Sequence, residues 1–143
     1  MVHALNEIRR VLIRDGILID LRPMLDPALR APLEIVSSAE TRHAGMVEQL
    51  LEDRATDEAA NRAMAHAEEQ GWFIKERAGF FPFNYFWDSP NEAQEYFDLK
   101  WSNSLTVDEA VWRNVRSMWA TADADARVRL PMRMSIARLR VQA

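Results

Sequence analysis

An acid and a base, Asp20 and Arg22, stand two residues apart at the end of an otherwise apolar run, Ile17-Leu18-Ile19-Asp20-Leu21. The carboxyl end of a strand is where open α/β sheets place their ligands, which makes the pair a candidate for touching a substrate. Alternatively, the two charges pair with each other or with a helix end. A second group is aromatic. In Phe80-Phe81-Pro82-Phe83-Asn84-Tyr85-Phe86-Trp87, the residues Phe81, Phe83, Tyr85 and Trp87 alternate onto one face and leave Phe80, Asn84 and Phe86 on the other. Backed by Trp72, Tyr96 and Trp101, that face has the composition of a wall of an apolar small-molecule pocket. Stripes of this kind also form cores and dimer interfaces. The candidate substrate-binding residues are thus Asp20, Arg22, Phe83, Tyr85 and Trp87.

Other chemistries are thinly represented. The chain has no cysteine, which excludes disulfides, thiolate metal sites and a cysteine nucleophile. Its three histidines, His3, His43 and His66, lack the i, i+4 spacing of helical metal ligands, so no metal is expected. His43, beside Arg42 and near Glu40 in a predicted hairpin turn, is the candidate for acid–base catalysis, against a plain solvated histidine. Ser37-Ser38 lacks the flanking glycines of a nucleophile elbow. A net charge of −4 gives no general attraction to nucleic acid, and the arginines near the end, Arg127, Arg129, Arg133, Arg138 and Arg140, have no aromatic interleaving. Nucleic acid is not an expected partner. No apolar run approaches the roughly 18 residues of a membrane span, and the first helix carries internal charges unlike a signal peptide. No membrane contact and a cytoplasmic location are expected.

These side chains must be positioned by a chain of 143 residues, 48% apolar and 28% charged, the composition of one globular domain over 1–143. Ala4, Leu5, Ile8, Val11 and Leu12 recur at helical spacing, and Gly16 is placed to stop that helix in the left-handed conformation. The run Ile17–Leu21 has the pattern of a strand covered on both faces. Pro23, Pro27 and Pro32 mark Met24 to Pro32 as an irregular connection. The pieces LEIVSS and HAGMVEQL, with a polar turn between them, predict a β-hairpin within 33–51. Thr56 is placed to cap a helix with a small-residue stripe of Ala60, Ala63, Met64 and Ala67, and Gly71 to end it.

Pro82 inside the aromatic strand implies an edge position or a bulge. Ser89-Pro90-Asn91-Glu92, and Thr106 with Glu109, read as capping boxes of two further helices. Ala93, Tyr96, Phe97 and Trp101 line the first, and Val107, Val111, Val115, Met118, Trp119 and Ala122 the second. In the final strand Leu130, Met132, Met134 and Ile136 share one parity and Ala137, Leu139 and Val141 the other, as a β-bulge near Ile136-Ala137 would produce.

The opening stretch ALNEIRRVLIRDGILIDLRP resembles the C-terminal part of class I S-adenosylmethionine-dependent methyltransferases. In that family the helix before the fifth strand often reads L-x-E-I-x-R-V-L-K-P-G-G. Leu5, Glu7, Ile8, Arg10, Val11, Leu12 and Gly16 match it here, and Ile13-Arg14-Asp15 departs from it at the turn. The likeness covers roughly the first 23 residues. Beyond them it extends to the order of elements alone. Thr56 to Gly71 would be the helix after the fifth strand, and the last two strand regions would be the antiparallel pair that closes the family's seven-stranded sheet.

The resemblance implies an α/β fold, or α+β for this chain by itself. It would be part of a Rossmann-like methyltransferase sheet, mixed in strand direction, with helices packed on it and the 33–51 hairpin as an insertion. The family's Gly-rich loop and ribose-holding acid have no counterpart, because the four glycines are isolated and form no G-x-G. The chain alone is therefore expected to hold no cofactor and to act as a methyltransferase-like binding or assembly module. S-adenosylmethionine would enter only where upstream sequence or another subunit completes the site. In that alternative the chain is the acceptor-binding half of an active small-molecule methyltransferase, with Asp20, Arg22, Tyr85 and Trp87 on the acceptor side and transfer relying on positioning. A sheet that opens on Ile17–Leu21 leaves backbone edges unpaired, which a homodimer would cover.

Overall fold

A computed structural model describes residues 2–24 and 30–142. The middle of the expected irregular connection, 25–29, lies outside them, and its two ends belong to strands. The elements are α1 (Val2–Val11), β1 (Ile17–Met24), β2 (Arg30–Val36), β3 (Thr41–Gln49), α2 (Leu51–Glu69), β4 (Phe73–Trp87), α3 (Pro90–Tyr96), a π-helical turn (Phe97–Trp101), β5 (Leu105–Val107), α4 (Glu109–Trp119) and β6 (Arg127–Val141). Strand order among the described residues is β1-β6-β2-β3-β5, with β4 also paired to β6. The class is mixed α and β, as expected, but the sheet is antiparallel rather than mixed in direction. For β2 and β3 the reason is local: they are joined by the turn Ser37 to Glu40, and a link that short can only reverse the chain.

The chain divides into two compact units, and each has its own core. The first comprises Met1–Pro23, Arg54–Phe81 and Met134–Ala143. Leu5 of α1, Ala63, Met64 and Ala67 of α2, Phe73 of β4 and Ala137, Leu139 and Val141 of β6 are buried together, with Leu18 of β1 packed against them. The small side chains of α2 let that helix lie close to its neighbours, as their spacing predicts. Its end is a Schellman motif. Gly71 takes φ 67°, its N–H donates to the Glu68 carbonyl, and the Trp72 N–H donates to that of Ala67.

Three expectations change in this unit. The left-handed residue after α1 is Asp15, at φ 60°, rather than Gly16. Glycine is needed next to it because a Cβ on Gly16 would lie 2.7 Å from the Ile13 carbonyl oxygen. Thr56 does not cap α2, which already starts at Leu51, where Leu50 donates its N–H to the Ser104 carbonyl. The strand β1 is not covered on both faces, since Ile19 and Leu21 are 52% and 51% exposed.

The second unit comprises Met24–Asp53 and Pro82–Arg133. Leu33 and Ile35 of β2, Val47 of β3, Trp112 and Val115 of α4 and Val128 and Leu130 of β6 form its centre. The predicted hairpin is present, with Val36 opposite Thr41, and its register shifts between Leu33 and Glu34. Gly45 faces Leu33 and His43 faces Glu34, so Ala44 is the extra residue of a bulge. The carbonyl of Ala44 accepts from the Asn114 side chain of α4 at 3.0 Å. A Cβ on Gly45 would come within 2.5 Å of Val111 Cγ2, so α4 lies against bare backbone there.

Ser89 caps α3 with Pro90 in its first turn, as expected, although Glu92 Oε2 accepts from the N–H of Asp88. Thr106 is not a cap. It lies in β5, paired with Glu48 of β3, and Asp108 caps α4 by accepting from the Ala110 N–H.

The burial of β6 changes phase along its length. Even residues Val128 and Leu130 are buried near its start and odd residues Ala137, Leu139 and Val141 near its end. Ion pairs with β4 and the residue after it report the same switch. Even Glu76 pairs with even Arg138 and Arg140, whereas even Asp88 pairs with odd Arg127. The bulge expected near Ile136-Ala137 would produce a phase change of this kind. Pro82 sits in β4, whose partner among the described residues is β6, so the edge position inferred from proline holds.

Candidate functional site

Asp20 and Arg22 belong to the first unit and pair with each other, Arg22 Nη2 donating to Asp20 Oδ2 at 2.7 Å and Nε to the same oxygen at 3.1 Å. Arg22 Nη1 donates to Asn61 Oδ1 of α2 at 2.7 Å. Both side chains are partly buried. The guanidinium thus has carboxylate and amide partners, and the pair ties β1 to α2. Nothing in the sequence pointed to Asn61, whose type and position suit an exposed helix face.

The aromatic candidates belong to the second unit. Trp87 is 4% exposed and stacks on Tyr85 with centroids 6.1 Å apart, while Trp101 stands edge-on to Tyr85, Tyr96 and Phe97 at 4.7, 4.9 and 5.0 Å. Phe83 meets Tyr85 edge-on at 5.0 Å and is itself 42% exposed. These are favoured ring geometries, and they fill the space that an open wall would leave. The stripe is therefore core at Trp87 and an exposed rim at Phe83, with Tyr85 half-buried between. Burial raises the Tyr85 phenol above the ordinary tyrosine range, and neighbouring Tyr96 adds to the rise. Trp72 does not back this cluster. It packs in the first unit, edge-on to His66 and beneath the Arg9 guanidinium.

His43 lies on β3 rather than in the hairpin turn and is exposed, its Nε2 3.3 Å from Met46 Sδ. The polar chemistry of that hairpin is concentrated at its tip. Ser37 Oγ donates to Asp123 Oδ2 at 2.7 Å, and the Ser38 N–H donates to Asp125 Oδ2 at 2.9 Å. Hydrogen bonds from Ser38 hold the Asp125 carboxyl below its ordinary value. Arg42 donates to the Met118 carbonyl at 2.7 Å and to Thr121 Oγ1 at 3.0 Å, placing a cation at the C-terminal end of α4 where the helix dipole favours it. Its buried Nε has a Glu40 carboxylate oxygen at 3.0 Å, an ionic contact without hydrogen-bond geometry. A shallow depression lies among these groups, and their bonds anchor the hairpin tip to the loop before β6.

The late arginines also meet acids. Arg127 pairs with Asp88, Arg129 with Glu34, and Arg138 and Arg140 with Glu76. Among the described residues no three His, Asp or Glu side chains are grouped to hold a metal, and no helix is long and apolar enough to cross a membrane. Comparison with protein-family models, with curated proteins and with solved structures finds no match to this chain.

Proposed function

We propose that the chain is a methyltransferase-like binding and assembly module, related to the C-terminal part of class I S-adenosylmethionine-dependent methyltransferases, that does not hold the cofactor by itself. One observation supports this most: β6 pairs with both β1 and β4, so the opening strand adjoins the closing pair. In the resemblance the last two strand regions are the antiparallel pair that closes the family's sheet, and α2 is the helix that follows the apolar strand.

The residues present do not fit S-adenosylmethionine. Its site needs glycine where a strand turns into a helix and the backbone meets the ligand. Here Gly71 ends α2, Gly16 turns beneath the Ile13 carbonyl, Gly45 lies under Val111 and Gly79 is inside β4. No step of methyl transfer is therefore assigned to this chain. Calorimetric titration is expected to show no heat of binding at millimolar S-adenosylmethionine, and stoichiometric micromolar binding would overturn the proposal.

The exposed aromatic rim favours a second reading, in which the chain is the acceptor-binding half of an active small-molecule methyltransferase completed by upstream sequence or another subunit. Small aromatic acceptors should then quench tryptophan fluorescence, and Phe83→Ala should weaken the effect. An unchanged spectrum would count against it.

A further inference from the structure

We propose that β1 is a docking edge for a second copy of this chain, the two β1 strands pairing antiparallel about a two-fold axis at Ile19. This deepens the assembly role proposed above and rests on it for its purpose. The geometry stands separately.

β1 ends the strand order, with β6 as its neighbour among the described residues. The Val141 N–H donates to the Gly16 carbonyl at 2.9 Å, so that carbonyl points toward β6. Successive peptide groups of a strand point to opposite sides. The N–H and C=O of Ile17, Ile19 and Leu21 therefore point to the edge that no strand pairs among the described residues. Pro23 shares their parity, so its missing N–H falls on the outer side, where a strand tolerates proline.

The other ends of the sheet are guarded. β5 has only three residues, and β4 carries Pro82 and the charged run Lys75-Glu76-Arg77. β1 is longer than β5, and its outward-bonding residues before Pro23 are all apolar.

Charge and hydrogen bonding select the partner and the register together. Asp20 and Arg22 neutralise each other within one chain, so a second β1 brings no net charge to the seam. Centred on Asp20, the pairing would set two carboxylates face to face. Centred on Leu21, it would oppose Asp20 to Arg22, but Ile19 would then meet Pro23, which has no N–H to donate. Centred on Ile19, Ile19 faces Ile19, Ile17 faces Leu21, and every outward donor of these residues meets an acceptor. In that register Asp20 faces Leu18, and Arg22 comes opposite Gly16, beside the acidic Asp15 of the second copy. The strand is thus complementary to itself in backbone bonds, apolar side chains and charge, as an isologous contact requires.

The absence of cysteine lets single cysteines report the register. Opposite Cα atoms of a hydrogen-bonded antiparallel pair lie about 5.5 Å apart, inside the disulfide range of about 4.4–6.8 Å. Ile19→Cys is expected to give a disulfide-linked dimer on mild oxidation. Leu21→Cys is not, because its two copies would stand more than about 12 Å apart. Light scattering of the full chain should give a dimeric mass that falls to a monomer in Ile19→Pro, which removes one outward N–H, and in Leu21→Lys, with circular dichroism unchanged. A monomeric parent at its highest soluble concentration would overturn the proposal, and so would a dimer that survives both variants. Cross-linking through Leu21→Cys in place of Ile19→Cys would overturn the register. A dimer that bound S-adenosylmethionine would overturn the proposed function and leave this edge standing, so the two failures are distinguishable.

Discussion

Tyr85 stands between a packed core and an exposed rim, and its phenol records that position. Burial is the larger cause of its raised pKa, with Tyr96 second. The unfolded chain therefore loses this proton before the folded one. The resulting stabilisation is complete below the ordinary tyrosine range and is lost as pH rises from there through the folded value. The chain has two tyrosines, Tyr85 and Tyr96, so ultraviolet titration can resolve a late phenolate step that should vanish in Tyr85→Phe. A late step unchanged by that substitution would contradict the assignment. Asp125 behaves in the opposite sense. Ser38 lowers its pKa, so its contribution is present above the ordinary aspartate range and lost as pH falls through the folded value. Gly45→Ala should cost about 1–3 kcal/mol in denaturant melts through overpacking, and Val111→Ala in the same chain should restore part of it. At this scale the sequence was partly informative. The weighed alternative that Asp20 and Arg22 pair with each other was correct, while Asn61 carried no signal.

Among the elements, local patterns were legible where nothing distant competed with them. Ser89 followed by Pro90 and Glu92 is a helix start in the sequence and in the fold, and Ser89→Ala should lower stability by about 1 kcal/mol in thermal melts. No change would remove Ser89 from the capping role. Thr106 and Glu109 form an equally good pattern, but Leu105 to Val107 pair with Val47 to Gln49 and hold Thr106 in a strand, so Asp108 becomes the cap. Thr56 loses its role for a similar reason. Asp53, accepting from Gln49 Nε2 and Ser104 Oγ, anchors a helix start that only tertiary contact reveals. The hairpin was visible because its turn and its alternation agreed. Its bulge at Ala44 was not, since the carbonyl it frees is answered by Asn114, seventy residues away.

For the whole molecule, burial among the described residues sorts into two core clusters. Leu139 and Leu33 are both fully buried, one in each. Replacing either by alanine should cost about 2–5 kcal/mol. Hydrogen exchange should show the loss first in the unit that holds the cavity, with Leu139→Ala loosening α2 and the end of β6, and Leu33→Ala loosening β2 and β3. Equal acceleration everywhere would mean that the two cores melt as one.

The phase change in β6 has a consequence for how this sequence can vary. Val128 and Leu130 are buried in one parity and Ala137, Leu139 and Val141 in the other. Deleting a single residue between the two groups would leave the first group in place and turn the second outward, sending Arg138 and Arg140 toward the core. Most proteins absorb length variation in their connecting segments. Here a stretch inside a strand has a fixed length, while the identities of its partly exposed residues are freer to change.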